Sequence, residues 1–272
     1  MKIQYASDLH LEFRDNSRYI NEIGLEPTGD ILLLAGDIIY LENKRMEAHP
    51  FFDWCSEHYR QTIIVPGNHE YYRDPYAKGY LKPYKNIADT LDSYEHKLRD
   101  NVRYLNNKSI VINDIKIFST TLWTITDPLN YVGIQTGMND CHQIVYGDHK
   151  LWADDYTEVH WKCRNWLDSA LRSSNARGKI VLTHHCPISR KEFDTHAVGS
   201  GLWSAFHVDM EEFIRTHDID CWIYGHTHLQ DGSGTRFESA AVGKETTVLC
   251  NQLGYVQCGE QENFNRLAFL EI

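Results

Sequence analysis

The chain lacks the features that mark several large protein classes. Its 272 residues contain no run that approaches the roughly 18 consecutive apolar residues of a membrane-spanning helix. The first ten residues, MKIQYASDLH, have no apolar core of the kind that a signal peptide carries. Repeats, low-complexity tracts and an obvious linker are also missing. We therefore expect a soluble cytoplasmic protein with a single domain over residues 1–272.

Paired cysteines and an excess of positive charge are missing too. The seven cysteines are odd in number and form no C-x-x-C pair, which argues against a disulfide framework and against a thiolate zinc site. Lys and Arg total 27 against 38 Asp and Glu, a formal net charge of −11. Such a chain is not built mainly to coat nucleic acid or a membrane, although charge can be local. A nucleic-acid partner is thus not indicated, and no membrane partner is expected.

Histidine is plentiful instead, with 15 residues, several of them beside a polar neighbour at the end of an apolar run. Five segments share this form: KIQYASDLH (2–10), DILLLAGD (30–37), TIIVPGNH (62–69), KIVLTHH (179–185) and DCWIYGHTH (220–228). Continuous apolar runs of this length are typical of strands buried on both faces, in a sheet that helices cover. Ligands of open α/β sheets collect at the carboxyl ends of strands, where all five polar groups lie.

Helices are predicted between some of these strands. Apolar residues recur at helical spacing over 86–100, where Tyr94 and Leu98 belong to the stripe. A longer stripe predicts a second helix over 157–173, and 208–218 is a shorter third candidate.

Further strands complete an α/β fold. They are expected at 102–105, 109–112, 115–120, 246–250 and 266–272. A tight hairpin at Asn113 and Asp114 joins two of them. Strands and helices that interleave in this way favour an α/β fold class with two packed mixed β-sheets and helices outside.

Residues 120–156 are neither periodic nor disordered in composition, being rich in aromatic residues, Gly, Asn and Asp. A long irregular segment inside a compact domain is more often functional than idle. We expect it to form one wall of a pocket. Within it, Asn139 and Asp140 could contact a substrate or could merely form a turn.

The polar residues at the five strand ends are all metal ligands by type. Residues i and i+2 of an extended strand point to the same side, so Asp8 and His10 are expected to reach one ion together. The candidate donors are Asp8, His10, Asp37, Asn68, His184 or His185, His226 and His228. Imidazole, carboxylate and amide oxygen without thiolate suit Mn, Fe, Zn, Ni or Co. So many donors exceed the needs of one tetrahedral ion and suit two ions that share a carboxylate.

Taken in order, D-x-H, G-D, G-N-H-E, a histidine-bearing strand end and G-H-T-H resemble the motifs of the calcineurin-like metallophosphoesterase family, in its compact bacterial or phage-type form. The motifs run from residue 8 to residue 228 and so cover most of the chain. The resemblance implies a four-layer α/β/β/α sandwich with a dinuclear metal centre at the strand ends. It implies one ion held by Asp8, His10 and His228, a second held by Asn68, His184 and His226, and Asp37 as the bridge.

The doubled histidine leaves two alternatives for one ligand. Family patterns place a proline at either of the distances that separate Pro187 from His184 and from His185. His184 is preferred because it directly follows the strand, and His185 is then a group on the substrate side or behind the ligands.

The resemblance also implies a reaction. Two cations about 3.5–4 Å apart lower the pKa of a bridging water, and the resulting hydroxide attacks a phosphate ester in line. His69 would protonate or steady the leaving oxygen as the catalytic residue. Glu70 is expected to orient a histidine ligand or to cap the following helix.

One departure from the family bears on the substrate. Protein Ser/Thr phosphatases carry an arginine just before G-N-H-E and another after G-D, where this chain has Pro66 and residues 38–41. Binding would then rest on the metals, with Mn expected first, which favours a phosphodiesterase or a broadly tolerant phosphoesterase. A nuclease or phosphomonoesterase of the same family is the alternative, and a non-catalytic metal-binding scaffold is a further one.

Overall fold

Most strands of the chain form two six-stranded mixed sheets. The computed structural model describes residues 1–41, 47–72, 86–189, 201–230, 234–239 and 243–272. The first sheet runs, in spatial order, through β14 (Phe269–Glu271), β1 (Lys2–Ala6), β2 (Ile31–Leu34), β3 (Gln61–Ile64), β5 (Val102–Asn106) and β4 (Tyr94–Arg99). The second runs through β12 (Thr235–Ser239), β13 (Lys244–Cys250), β11 (Cys221–Tyr224), β10 (Gly178–Thr183), β7 (Ile115–Thr120) and β6 (Lys108–Ile112).

Helices and one small hairpin connect and cover the sheets. Among the described residues, the α-helices are α1 (Arg14–Glu22), α2 (Pro50–His58), α3 (Tyr131–Gly137), α4 (Asp140–Gln143), α5 (Asp155–Arg172) and α6 (Glu211–Thr216). The hairpin pairs β8 (Val145–Tyr146) with β9 (His149–Lys150). Among the described residues, no helix combines the length and the apolar character needed to cross a membrane.

Apolar side chains fill both faces of each sheet. Between the sheets, Ile31 and Ile63 of the first belong to one buried cluster with Ile180 and Ile223 of the second. Such two-sided burial is what continuous apolar strands require, since neither face can be left to water.

Helices bury the outer faces. Leu32 and Ile64 on the first sheet join a cluster with Phe52 of α2, and Trp222 on the second joins one with Leu167 of α5. The layers are therefore helix, sheet, sheet and helix, which confirms the predicted fold class.

The helix predicted over 86–100 is wrong. Ile87–Thr90 is a single 3-10 turn, and the strand β4 begins at Tyr94. Within β4, Glu95 and Lys97 are exposed, while Tyr94 and Leu98 pack against the core. Residues four positions apart lie on the same face of an α-helix and also on the same face of a strand. The spacing of Tyr94 and Leu98 therefore could not distinguish a helix from a strand. Antiparallel pairing of β4 with β5 supplies its backbone hydrogen bonds.

The other sequence-based elements are closer to the structure. Helix α5 covers all but the ends of the predicted 157–173, and α6 occupies the middle of 208–218. The hairpin of β6 and β7 turns at Asn113 and Asp114, with Asn113 at a φ of 54°. Residues 120–156 contain α3, α4 and the β8–β9 hairpin, whose apolar side chains pack with Tyr156 of α5. The segment is thus more regular than its composition indicates.

Gly67 lets the loop after β3 lie against the loop after β2. A Cβ added at Gly67 would lie 2.6 Å from the backbone nitrogen of Asp37 and 2.8 Å from Cε1 of His184, with the Asp37 carboxylate closer still. Contacts this short cannot be relieved by a flexible side chain alone, because one partner is backbone. The loops after β2 and β3 can therefore approach each other this closely only with glycine at position 67.

We predict that Gly67→Ala lowers the free energy of unfolding by about 1–3 kcal/mol, the usual cost of overpacking a buried site. Denaturant unfolding of the two proteins measures the difference. Gly147→Ala is the comparison for backbone strain without a clash, because its φ of 63° strains an added side chain while no heavy atom lies within 4 Å of the added Cβ. Equal stability of Gly67→Ala and the wild-type chain would contradict the close approach.

Candidate metal centre

Loops from both sheets meet at the carboxyl ends of parallel strands. Strands β1, β2 and β3 are parallel neighbours in the first sheet, and β10 and β11 are parallel neighbours in the second. The loops after these five strands carry all the predicted donors: Asp8, His10, Asp37, Asn68, His184, His226 and His228. Sheet topology thus brings together residues that lie up to 220 positions apart in the sequence.

Asp8 and His10 converge for a different reason from the one that the sequence indicates. Strand β1 ends at Ala6, and both residues have a left-handed backbone, with φ of 55° and 47°. His226 and His228 repeat this, with φ of 74° and 53°. A left-handed backbone costs roughly 1–2 kcal/mol for a residue with a Cβ, and such strain collects at functional sites. The loop geometry, rather than strand alternation, aims these side chains.

Asp8, His10 and His228 form the first donor cluster. Nε2 of His10 lies 3.1 Å from Nε2 of His228, and Nε2 of His228 lies 3.4 Å from Oδ1 of Asp8. The opposite ring nitrogens are held by carboxylates: Nδ1 of His10 is 3.2 Å from Glu12, and Nδ1 of His228 is 2.7 Å from Glu260. Donation from Nδ1 fixes the tautomer that presents Nε2 as a ligand.

Asn68, His184 and His226 form the second cluster. Nε2 of His184 lies 2.9 Å from the amide oxygen of Asn68 and 3.1 Å from Nδ1 of His226. Nδ1 of His184 donates to the carbonyl of Ala35 at 2.8 Å. The amide nitrogen of Asn68 donates to Asp140 at 2.9 Å, so the amide oxygen is the atom that faces the histidines.

Asp37 lies between the two clusters. Its Oδ1 is 3.4 Å from Nε2 of His184, and its Oδ2 is 3.9 Å from Nε2 of His10. The backbone N–H of His69 donates to Oδ1 at 2.8 Å. Burial opposes ionisation of this carboxyl, but the nearby imidazoles of His184 and His69 hold the pKa of Asp37 well below its usual range.

The donor set fits metal ions. Because Nδ1 of His184 donates to a carbonyl, Nε2 of the neutral ring carries a lone pair. This Nε2 atom faces the amide oxygen of Asn68. Acceptors that face each other need a cation or a proton between them. Burial disfavours the charged ring, yet Asp37 outweighs it and raises the pKa of His184 to about 9. His228 behaves alike: hydrogen bonds to Asp8 and Glu260 outweigh burial and raise its pKa to about 10.

His185 occupies a different place from His184. Its ring is fully buried, with Nδ1 donating to the carbonyl of Thr121 at 3.2 Å and the ring 5.0 Å from that of Trp123. Burial and the neighbouring His184 hold the pKa of His185 well below its ordinary value. It belongs to none of the three-residue donor groups and does not line the cavity described below. The ring nitrogens of His184, and not those of His185, lie among the other donor atoms, although the His185 ring packs 4.3 Å from that of His226.

His69 faces the site beside the first cluster. Its Nδ1 lies 2.7 Å from Oε1 of Glu12, the same oxygen that lies 3.2 Å from Nδ1 of His10. Burial lowers the pKa of His69, but Asp37 and the hydrogen bond to Glu12 outweigh burial and raise it. Its Nε2 points to the hydroxyl of Tyr255 at 3.4 Å.

Glu70 is predicted from the sequence to orient a histidine ligand or to cap the following helix, and residues 73–85, which follow it, lie outside the described residues. Its carboxylate accepts hydrogen bonds from the backbone N–H groups of Asp37, Ile38 and Gly67 at 2.9, 2.8 and 2.7 Å. It therefore holds the loop after β2 against the loop after β3 and does not contact a histidine ligand through a hydrogen bond in the described residues.

An open cavity of about 330 Å³ gives access to the donors. Its walls come from both sheets, from the 120–156 segment and from the C-terminal part of the chain: Asp37, Asn68, His69, Tyr72, Gly137, Met138, Asn139, Asp140, Leu202, Phe206, His226, Thr227, His228, Tyr255 and Glu260. Carboxylates and aromatic rings are frequent on these walls, and neither lysine nor arginine is among the described lining residues.

Sequence reasoning missed the carboxylates that hold the ligands. Glu12 stands two residues after His10, so D-x-H-x-E is a signal that could have found it. Glu260 follows His228 by 32 positions with no motif around it. The sequence indicates Asp140 only as a candidate substrate contact or turn residue, whereas in the structure it accepts hydrogen bonds from Asn68, from Tyr72 and from Tyr156, the last at 2.7 Å.

The fold and the donors define a class: an α/β sandwich with metal ligands at the strand ends of two sheets. The model of the calcineurin-like phosphoesterase family matches residues 1–230, and the chain belongs to this family. It is therefore a hydrolase that acts on phosphate esters. Hydrolysis in this family depends on metal ions, and the His and Asp clusters could hold them.

Two known proteins resemble the chain over nearly its whole length. "Uncharacterized protein L509" of Acanthamoeba polyphaga mimivirus is 29% identical over 289 residues, covering 99% of this chain and 96% of that protein. The phosphopantetheinyl hydrolase of Mycobacterium tuberculosis shares the fold, with a TM-score of 0.64 at 13% identity over 99% of this chain and 95% of the other. A dimetal phosphatase from Danio rerio superposes weakly, with a TM-score of 0.37 at 14% identity over 92% and 87%.

We predict that Asp140→Asn weakens metal binding by about 10–100-fold, the usual effect of removing a group that orients a ligand. A neutral amide at this position offers one accepting oxygen instead of two to Asn68, Tyr72 and Tyr156, so it holds the Asn68 amide less firmly with its oxygen toward the histidines. Calorimetric titration of the apo-protein with Mn²⁺ measures the change. Asp148→Asn is the control, because the Asp148 side chain is fully exposed. Wild-type affinity in Asp140→Asn would exclude this role of Asp140.

Proposed function

We propose that the protein is a phosphodiesterase, or a phosphoesterase of broad specificity, that uses two metal ions, with manganese the first expectation. The observation that supports this most strongly is the pair of donor clusters on either side of Asp37, open to a cavity that His69 also lines. One cluster alone would suit a structural ion, whereas two beside a histidine suit a reaction.

In this proposal Asp8, His10 and His228 would hold one ion, Asn68, His184 and His226 would hold the other, and Asp37 would be shared between them. When bound, such ions supply positive charge for the phosphoryl oxygens and acidify a water molecule. The distances within each cluster, 2.9–3.4 Å between donor atoms, support the grouping.

His69 is the group that we assign to the leaving oxygen. Glu12 anchors Nδ1, so the proton on Nε2 is the one directed toward the cavity. A histidine held in this way can give its proton to an alkoxide as the ester bond breaks. The carboxylate of Glu12 also stabilises the charged ring, because its side chain is only 2% exposed.

The charge of the cavity favours a diester. Carboxylates of Asp37, Asp140 and Glu260 line it, and the described walls offer no lysine or arginine. A phosphate monoester carries nearly two negative charges at neutral pH, because its second pKa is about 6, whereas a diester carries one. The monoester would therefore meet more repulsion for the same metal charge.

We predict that His69→Ala lowers kcat by about 10²–10⁴-fold, the usual contribution of general acid catalysis, while the bound metal per chain stays unchanged. Steady-state kinetics with bis(p-nitrophenyl) phosphate and elemental analysis measure the two quantities. His142→Ala is the matched control, because His142 is exposed and lies outside the cavity walls. Full activity of His69→Ala at every pH would refute the assignment.

We predict that the Mn²⁺-loaded protein hydrolyses diesters faster than monoesters in a screen of mono-, di- and cyclic phosphates. Chelation should abolish turnover, and Asp37→Ala should reduce it sharply because both clusters lose a shared donor. Preference for polynucleotides would support the nuclease alternative. A purified protein without transition metal and without turnover would instead favour the scaffold.

A further inference from the structure

We propose that Tyr255 is a further catalytic residue, whose hydroxyl donates a hydrogen bond to a non-bridging oxygen of the phosphate ester. The proposal rests on the phosphoesterase site described above. It concerns a residue beyond the segment 1–230 that the family model matches.

The backbone of the 253–255 segment is fastened to the first metal cluster. The N–H of Leu253 donates to the carbonyl of Ser7 at 3.0 Å, and the N–H of Gly254 donates to the carbonyl of Asp8 at 3.1 Å. The N–H of Tyr255 donates to Glu260 at 2.6 Å, the carboxylate that also holds His228. Tyr255 is thus positioned by the same contacts that position the ligands.

The ring of Tyr255 packs among the site's aromatic groups. Its centroid lies 4.7 Å from that of His10, 4.6 Å from that of His228 and 5.6 Å from that of Phe13. The residue is only partly buried and lines the cavity. Packing on three sides leaves the ring little freedom, so its hydroxyl is a fixed donor, as catalysis by hydrogen bonding requires.

Other hydroxyls on the cavity wall are engaged elsewhere. The hydroxyl of Tyr72 donates to Asp140, and that of Thr227 accepts from the amide of Gln252 at 3.0 Å. Within the part of the chain that the structure describes, the Tyr255 hydroxyl has one long contact, 3.4 Å to Nε2 of His69, against the 2.5–3.0 Å of a good hydroxyl bond. Because His69 is assigned to the leaving oxygen, a donor beside it lies close to the phosphorus substituents.

The absence of cations from the described walls makes such a donor valuable. The described walls carry carboxylates, imidazoles and neutral hydroxyls, and no arginine or lysine. A neutral hydroxyl stabilises the charge that develops on a phosphoryl oxygen without attracting a second anion. Tyr255 forms no covalent bond and transfers no proton in this role.

The test is Tyr255→Phe, which removes the hydroxyl and keeps the ring packing. We expect kcat for aryl methyl phosphodiesters to fall about 10²-fold, the lower end for the loss of one such donor. The fall should be the same for leaving groups of low and high pKa, and bound metal and Tm should be unchanged. Tyr146→Phe is the control, because its hydroxyl contacts Glu158 and Lys162 outside the cavity.

Three results would overturn the proposal: no fall in kcat, a fall that grows with leaving-group pKa, or a loss of bound metal. If the wild-type protein hydrolyses no ester, the proposed function fails. The hydrogen bond from Tyr255 is then tested separately, by the binding of orthovanadate. Binding of orthovanadate to the Mn²⁺-loaded proteins, measured by calorimetry, should then be about 10-fold weaker in Tyr255→Phe. Equal binding would exclude the hydrogen bond.

Discussion

The buried carboxylate of Asp37 is the group on which the rest of the site depends. It lies between donors from both sheets, 3.4 Å from His184 and 3.9 Å from His10. A carboxylate removed from water is stable only when charges or hydrogen bonds compensate it. Here the N–H of His69 and the surrounding imidazoles compensate the charge of Asp37. The Glu70 carboxylate accepts a hydrogen bond from the Asp37 N–H and so fixes the backbone of Asp37. Removing one of these partners would leave the buried charge of Asp37 less well compensated.

Assembly of this centre has a local cost that the fold as a whole offsets. Five predicted ligands have a left-handed backbone: Asp8, His10, Asp37, His226 and His228. At roughly 1–2 kcal/mol each, such strain persists only where the surroundings determine the conformation. The surroundings here are two sheets buried on both faces, with the loop backbones hydrogen-bonded to each other, as between Asp8 and Gly36 and between His10 and Asp37. Rigidity in the sheets thus permits strain in the loops.

Sequence patterns predict the sheets and the donors better than the groups that support them. Motifs at strand ends locate Asp37 and Asn68 because ligand chemistry and strand termination both leave local signals. Glu260 and Tyr255 leave no local signal in the sequence, because their function arises only when the C-terminal segment packs on the loop after β1. The spacing of Tyr94 and Leu98 failed for a different reason: it satisfies helix and strand alike, and pairing with β5 decided the outcome. The left-handed backbone of the ligands could not be predicted from the sequence either. The direction of a side chain depends on backbone torsion angles, which composition does not determine.

The most direct test is anomalous diffraction from crystals of the Mn²⁺-loaded protein, collected on both sides of the manganese absorption edge. We expect two peaks about 3.5–4 Å apart, one beside Asp8, His10 and His228, the other beside Asn68, His184 and His226, with Asp37 in contact with both. A single peak at saturating metal, or two peaks that Asp37 does not join, would contradict this expectation.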